Sequence, residues 1–389
     1  MESVGYIVDE KGDAMNNVAI LTYHSAYNFG SVLQAYATQQ AVRTLGYAPK
    51  IINYRMDSQK EFYCHLYRRH SGLKTFVKDL TKFPIHRARM QRKEAYEAFF
   101  ARYLDMTKEV YEPEQAMEFL REYDIAISGS DQIWNKHSCE FERNEWRYME
   151  PYLLKDFQGR KVSYASSVGN MDDSELQRIL PEVRGFDALA FREAASAEKM
   201  SKLLNHPVET VLDPTFLLTR DEWVECLQLK EQKDERFILA YFLCGPKSLL
   251  RILPNLARTA KKMDCRIKLV TPFAYLPYPD KQIEWHPEYG PIEFLNDVYN
   301  AEAVITDSYH GTVLSVNFGK EFYSICKAGG AEFRKTDLLG RLGLLDRTTD
   351  DIEKVPQIGP SQIDYDEVYQ KLALLRRHSL NYLKAALEE

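Results

Sequence analysis

Residues 303–322 read AVITDSYHGTVLSVNFGKEF. Ala303 to Thr306 is short and β-prone. Asp307, Ser308, Tyr309 and His310 are polar. The following run carries apolar residues at Val313, Leu314, Val316 and Phe318. The stretch therefore reads as strand, turn, helix. His310 and Gly311 fall near the helix N-terminus, where main-chain N–H groups and the helix dipole favour an anion. An anionic substrate is the first expectation. A turn histidine that merely caps the helix is the alternative.

The same grammar recurs along the chain. Candidate strands at 18–23, 50–54, 124–128, 161–165, 188–191, 209–212, 237–242, 266–270, 303–306 and 322–325 alternate with helical stretches. Such alternation indicates parallel α/β sheets. Ten strands exceed one sheet of usual size, so the expected fold is α/β with two doubly wound Rossmann-like domains. Their junction falls near Pro214 to Arg220. Polar motifs follow several strands: HSAYNFGS, GSDQIWN, SSVG, REAAS and DSYHG. Ligands of open α/β sheets sit beyond the C-terminal strand ends, so five such turns suggest a cleft between the domains.

The expected organisation is a flexible N-terminus at 1–16, an N-terminal domain at 17–216, a C-terminal domain at 217–360 and a packing helix at 361–389. A basic helical insertion is expected near 60–105. Between 60 and 93 it carries ten Lys and Arg residues, among them Arg68, Arg69, Arg87, Arg89 and Arg92, interleaved with aromatic and apolar ones. A solvated helical face is one reading. A platform for an anionic acceptor or membrane surface, a peripheral membrane contact, is the other.

Composition narrows the function. The 389 residues carry a formal net charge of -6, which argues against a nucleic-acid partner. No apolar run approaches the about 18 residues of a membrane span. The start, MESVGYIVDEKGDAMNN, lacks the basic and apolar regions of a signal peptide, so a cytoplasmic location is expected. The six cysteines form no C-x-x-C pair and the histidines no H-x-x-x-H pair. Reduced thiols and no protein-held metal are expected.

The motifs YNFGSVLQAYATQQAVRTLGY, ISGSDQIWN, SYASSVG, FREAAS, VLDPTFLL, GPIEFLNDVYNAEAVITDSYHGTVLSVNFGKEF and RKTDLLGRLGL stand in order across most of the chain. In this the chain resembles the polysaccharide pyruvyl transferase family. The resemblance implies a two-domain GT-B-like fold. It also implies transfer of a pyruvyl group from phosphoenolpyruvate to a sugar hydroxyl pair, giving a cyclic ketal of bacterial surface polysaccharide. No cofactor is implied beyond phosphoenolpyruvate as donor substrate. The acceptor is a sugar, for which a lipid-linked form at the inner face of the membrane is one candidate.

Such a donor carries a phosphate and a carboxylate, and its site needs positive groups. Arg192 is one candidate; its alternative role is pairing with Glu193 or another acid. Arg334 with Lys335 is a second, and the amides around His310 and Gly311 are a third. His310 is the expected acid/base group or phosphate contact, since histidine's ordinary titration range permits either. Asp131 is the expected base or acceptor-orienting group, with a turn or N-cap role as alternative. Asn28 could bond a sugar or phosphate and Gly30 allow close backbone approach, against a plain capping turn. Trp134 is a weaker candidate for stacking on a sugar, since a large aromatic is more often core. Some branches of the family carry arginine two positions before the motif histidine. Here that position is Ser308, which removes one charge from the expected donor site. A glycosyltransferase using a nucleotide sugar and a non-catalytic carbohydrate-binding protein are the competing functions.

Overall fold

The computed structural model describes residues 17–56, 86–138, 140–141, 145–232, 235–271, 280–326, 333–350 and 363–388. The expected flexible segment at 1–16 lies outside them, as do residues 57–85 of the basic insertion. In chain order the first half contains β1 (Asn17–Leu21), α1 (Phe29–Thr44), β2 (Ala48–Ile51), α2 (His86–Tyr103), α3 (Pro113–Leu120), β3 (Ile125–Ser128), β4 (Arg160–Ser163), α4 (Asp173–Val183), β5 (Ala190–Phe191), α5 (Ala194–Leu204) and β6 (Glu209–Thr210). The second half contains α6 (Arg220–Leu227), β7 (Phe237–Tyr241), α7 (Pro246–Met263), β8 (Arg266–Val270), β9 (Ile283–Trp285), α8 (Pro291–Asn300), β10 (Ala303–Thr306), α9 (Tyr309–Asn317), β11 (Glu321–Ile325), α10 (Phe333–Leu342), β12 (Thr348–Thr349) and α11 (Tyr365–Glu388).

These elements form two compact units. One comprises residues 1–62, 100–217 and 374–389, the other 63–99 and 218–373. The first holds a four-stranded parallel sheet in the order β2-β1-β3-β4, and β5 pairs in parallel with β6. Single bridges from Val162 to Ala188 and from Ser166 to Phe191 carry the β4 side of the sheet towards β5. The second holds six parallel strands in the order β12-β11-β10-β7-β8-β9. Counted within that unit, the order is third, second, first, fourth, fifth, sixth, the Rossmann arrangement.

The central strands are apolar throughout because helices cover parallel sheets on both faces. In β1, Val18, Ala19, Ile20 and Leu21 are all buried, as are Phe237 to Tyr241 in β7. Two helices, α1 and α9, are buried on nearly every side. Their polar residues are consequently bonded inside the protein. Gln34 on α1 donates to Thr22 Oγ1 at 2.7 Å and to the Tyr23 carbonyl at 2.9 Å, and accepts from Ser130 N at 3.2 Å. It thereby joins the ends of β1 and β3.

Trp134 is core. It is fully buried, its Nε1 donates to the Tyr152 carbonyl at 2.9 Å, and its ring meets Phe186 and Phe191 edge-on at 5.2 and 5.6 Å. No face remains for a sugar. In the described part of the basic insertion, Arg87 and Lys93 are exposed. Arg89 and Arg92 are buried, and Arg92 donates to the Tyr289 carbonyl and the Tyr96 hydroxyl, each at 3.2 Å. A Cβ on Gly290 would stand 2.5 Å from the Ala95 Cβ, so α2 packs directly onto the turn before α8. Arg92 thus fastens the first part of α2 to the turn before α8. No described helix is long and apolar enough to cross a membrane.

Two expectations follow. Trp134→Ala should lower unfolding free energy by about 3–5 kcal/mol, read from the urea midpoint. A loss near zero would contradict its place in the core. His24 is fully buried, with Nδ1 at 3.1 Å from the Thr22 carbonyl and Nε2 at 3.0 Å from Asn53 Oδ1. Burial above all lowers its pKa from 6.5 to about 4. Between these values the unfolded chain binds the proton and the folded chain does not. This contribution is therefore complete above pH 6.5 and is lost as pH falls towards 4. His24→Gln should flatten the fall in stability across that window; an unchanged slope would assign the loss to other groups.

Candidate functional site

Open α/β sheets bind ligands where the strand order reverses, beyond the C-terminal strand ends. In the second unit the reversal lies between β7 and β10. The Asp307 carboxylate, just past β10, accepts the main-chain N–H of Leu243, just past β7, at 2.6 Å. Thr306 Oγ1 donates to the Tyr241 carbonyl at 2.6 Å and accepts from Ser308 N at 3.0 Å. The turn carrying His310 is thus tied to both strands that flank the reversal.

Ser308 is the N-cap of α9, its Oγ accepting from Gly311 N at 3.3 Å. Its hydroxyl thereby satisfies a main-chain donor the helix leaves open. His310 is buried in the first turn, and its ring meets the Tyr309 ring edge-on at 5.3 Å. A Cβ on Gly311 would lie 2.5 Å from Thr306 Oγ1 and 3.0 Å from Tyr241 Cδ1. Glycine therefore lets α9 descend onto the sheet at the reversal.

Two cations of α10 reach the same turn. Lys335 is buried, and its Nζ donates to the carbonyls of Asp307 at 3.0 Å and Ile325 at 2.6 Å. It clamps the ends of β10 and β11. The Arg334 guanidinium lies over the Tyr309 ring, 5.5 Å from its centroid.

In the first unit the reversal lies between β1 and β3. Asn28 and Gly30 stand on the β1 side and Asp131 on the β3 side. Asn28 is the N-cap of α1, with its Oδ1 accepting from Gly30 N at 2.9 Å, the capping role weighed for it. Gly30 lies buried in the first helical turn. Asp131 sits at a φ of +78°, and its carboxylate accepts from Gln132 N at 2.8 Å and from Ser31 Oγ at 3.3 Å. Ser31 Oγ also lies 3.2 Å from Glu140 Oε1.

Arg192, for which donor binding and pairing with Glu193 or another acid were both expected, makes the acid pairs. Its side chain is 1% exposed and three carboxylates surround it: Asp213 at 3.0 Å, Glu193 at 3.1 Å and Asp131 at 3.5 Å. The structural alternative, pairing with neighbouring acids, describes it. Removing one partner of such a buried group costs more than the pair contributes, so the cluster fixes Asp131 in place. Glu140, Ser31 and Asp213 were not singled out from sequence. Asp213 lies in the VLDPTFLL motif and Ser31 follows YNFG, whereas Glu140 stands in a stretch of mixed polar residues with no signal.

Thus Asn28, Gly30, Asp131 and Arg192 gather at the reversal of the first unit. Ser308, His310, Gly311 and Arg334 gather at that of the second. Among the described residues no group of three or more His, Cys, Asp or Glu could hold a metal ion.

Gly311→Ala should destabilise the protein, because Thr306 Oγ1 is held by two hydrogen bonds and cannot give way. A loss of about 1–3 kcal/mol in urea unfolding is expected for such overpacking. A neutral substitution would show that α9 can lift from the sheet.

Among solved structures, the chain resembles Arabidopsis thaliana UGT89C1 complexed with quercetin, with a TM-score of 0.50 and 11% identity over 95% of this chain and 99% of that one. The S. aureus MnaA–UDP co-structure gives a TM-score of 0.49 and 12% identity over 96% and 91%. At these identities the likeness concerns the fold alone: α/β, two Rossmann-like units, GT-B-like. No curated protein sequence matches the chain. The model of the family described as Polysaccharide pyruvyl transferase matches residues 28–325, which take in the whole reversal of the second unit and, of the first, Asn28 onward and the β3 side. The chain belongs to the polysaccharide pyruvyl transferase family.

Proposed function

We propose that this protein transfers a pyruvyl group from phosphoenolpyruvate to two hydroxyls of one sugar, releasing inorganic phosphate and forming a cyclic ketal. Membership of the family supports the reaction class. The observation that carries the residue assignment is the His310 turn at the strand reversal, tied by Asp307 to Leu243 N and clamped by Lys335.

The chemistry follows from the donor. A proton is added at C3 of the enol, making a methyl group and leaving oxocarbenium-like character at C2. One sugar hydroxyl attacks C2 and loses its proton. The second attacks the same carbon as the C–O bond to phosphate breaks, and loses its proton in turn. One of the two released protons balances that added at C3; the other leaves with phosphate or solvent. The steps need a group that gives a proton and one that takes it. We assign the acid/base work at the donor to His310 and the orientation of the acceptor to Asp131. The acceptor is a saccharide, and no metal or further cofactor is part of this proposal.

Calorimetric titration of metal-free protein with phosphoenolpyruvate, beside a panel of nucleotide sugars, tests the donor. Saturable binding of phosphoenolpyruvate supports the reading; binding of a nucleotide sugar in its place overturns it and favours glycosyl transfer. His310→Ala and His310→Gln should each lower acceptor-dependent phosphate release by about 10²–10⁴-fold with the fold retained. Near-normal turnover in both would overturn the assignment of His310.

A further inference from the structure

We infer that Gln132 binds the acceptor, its side-chain amide donating to the hydroxyl oxygen whose proton faces the Asp131 carboxylate. This rests on the placement of the acceptor at Asp131 in the pyruvyl-transfer reading, and adds the second group that reads it.

The turn after β3 fixes which end of the Gln132 amide is which. The main-chain N–H of His137 donates to Asn135 Oδ1 at 3.0 Å. The other end of the Asn135 amide is therefore its NH2 group, and Nδ2 donates to Gln132 Oε1 at 2.7 Å. The Gln132 oxygen is spent on that bond, and Nε2, with its two protons, is the end left over. Among the described residues Nε2 has no hydrogen-bond partner. Gly169, at a φ of +57° in the loop after β4, packs onto both amides. A Cβ there would stand 2.2 Å from Asn135 Nδ2 and 2.9 Å from Gln132 Oε1. The Gln132 amide cannot turn over without losing its bond to Asn135.

The preceding residue supplies the opposite half. Gln132 N donates to Asp131 Oδ1 at 2.8 Å, Ser31 Oγ lies 3.3 Å from Oδ2, and Arg192 stands 3.5 Å from Oδ1. A carboxylate offers about four acceptor positions, so one remains for a hydroxyl proton. Of the three acids around Arg192, Asp131 is the one whose side chain reaches the surface. It is 10% exposed, against 1% for Glu193 and 0% for Asp213. Gln132 beside it is half-buried. The Asp131 carbonyl accepts from Ser167 N at 3.0 Å, which holds the turn after β3 against the loop after β4. A donor and an acceptor are thus fixed on adjacent residues at the reversal. A sugar hydroxyl is both at once: its oxygen takes the N–H and its proton goes to the carboxylate. The same N–H favours that oxygen as it gains negative charge when the proton leaves. A carbon without the hydroxyl meets neither group.

The test titrates wild-type protein, Gln132→Ala and Gln132→Glu with a panel of methyl hexopyranosides and their monodeoxy counterparts, followed by ligand-observed magnetic resonance. Thermal unfolding of each variant checks that the fold is kept. Gln132→Glu retains an oxygen for Asn135 Nδ2 and places an acceptor where the N–H stood. Gln132→Ala should weaken the best-bound glycoside by about 3–10-fold, the range for one neutral hydrogen bond, and Gln132→Glu by at least as much. At one hydroxyl position, deoxygenation should cost affinity in wild type and cost nothing further in Gln132→Ala. A role in folding alone would leave that penalty unchanged. Affinities equal to wild type in both variants would overturn the inference, as would an undiminished penalty at every position. If glycosides bind in a Gln132-dependent way and phosphoenolpyruvate does not bind, the role of Gln132 stands and the donor reading falls. If phosphoenolpyruvate binds and no glycoside does, the inference falls and the donor reading stands. If nothing binds, both fall.

Discussion

The hydrogen bond from Leu243 N to the Asp307 carboxylate spans the point where the second sheet changes its direction of winding. Helices leave β7 and β10 on either side of it. Two neighbouring parallel strands at such a point have no helix crossing between their ends, and the gap exposes main-chain groups that must be satisfied. Asp307 satisfies one of them, and Thr306 ties the same two strands one residue earlier. Everything that follows in the chain inherits this position. Ser308 can then cap α9, Gly311 can bring the helix against Thr306, and His310 is carried in the buried first turn. The glycine and the histidine stand together because one allows the close approach that places the other.

The first unit solves the same geometric problem with a different device. There Gln34, on the buried helix α1, bonds groups at the ends of both β1 and β3. Asp131 is held by the main chain, by Ser31 and by Arg192. The arginine has three acidic partners within the protein, so its charge serves to position carboxylates. In the second unit the arrangement differs. Lys335 has main-chain carbonyls as partners and the Arg334 guanidinium lies 5.5 Å from the centre of the Tyr309 ring, next to the turn whose Asp307 carboxylate accepts from Leu243 N.

Much of the fold was legible from local pattern, because parallel strands buried on both faces are short apolar runs that polar turns interrupt. The run before Asp307 and the helix after it are read directly in AVITDSYHGTVLSVNF. Two strands were not: β9 spans three half-buried residues and β12 two, too few for an alternation to show. The discontinuity of the units was equally out of reach, since nothing local in α11 or α2 names partners that lie far away in the chain. Of the candidate site, the placement of His310 and Asp131 just past short strands was legible from polar residues that follow apolar runs. The acid cluster around Arg192 was not, because only Glu193 among its three acids is a sequence neighbour. Ser308 and Asn28 are typical capping residues, and their geometry obeys that preference.

The central claim is that phosphoenolpyruvate gives up its three-carbon unit as a ketal. The most direct measurement is magnetic resonance of the products formed from carbon-13-labelled phosphoenolpyruvate and a saccharide acceptor pool in deuterated water. The account predicts a new saccharide-bound methyl group carrying one deuterium, formed in step with inorganic phosphate. Release of phosphate with free pyruvate as the only labelled product would contradict it. So would glycosyl transfer from a nucleotide sugar while phosphoenolpyruvate remains intact.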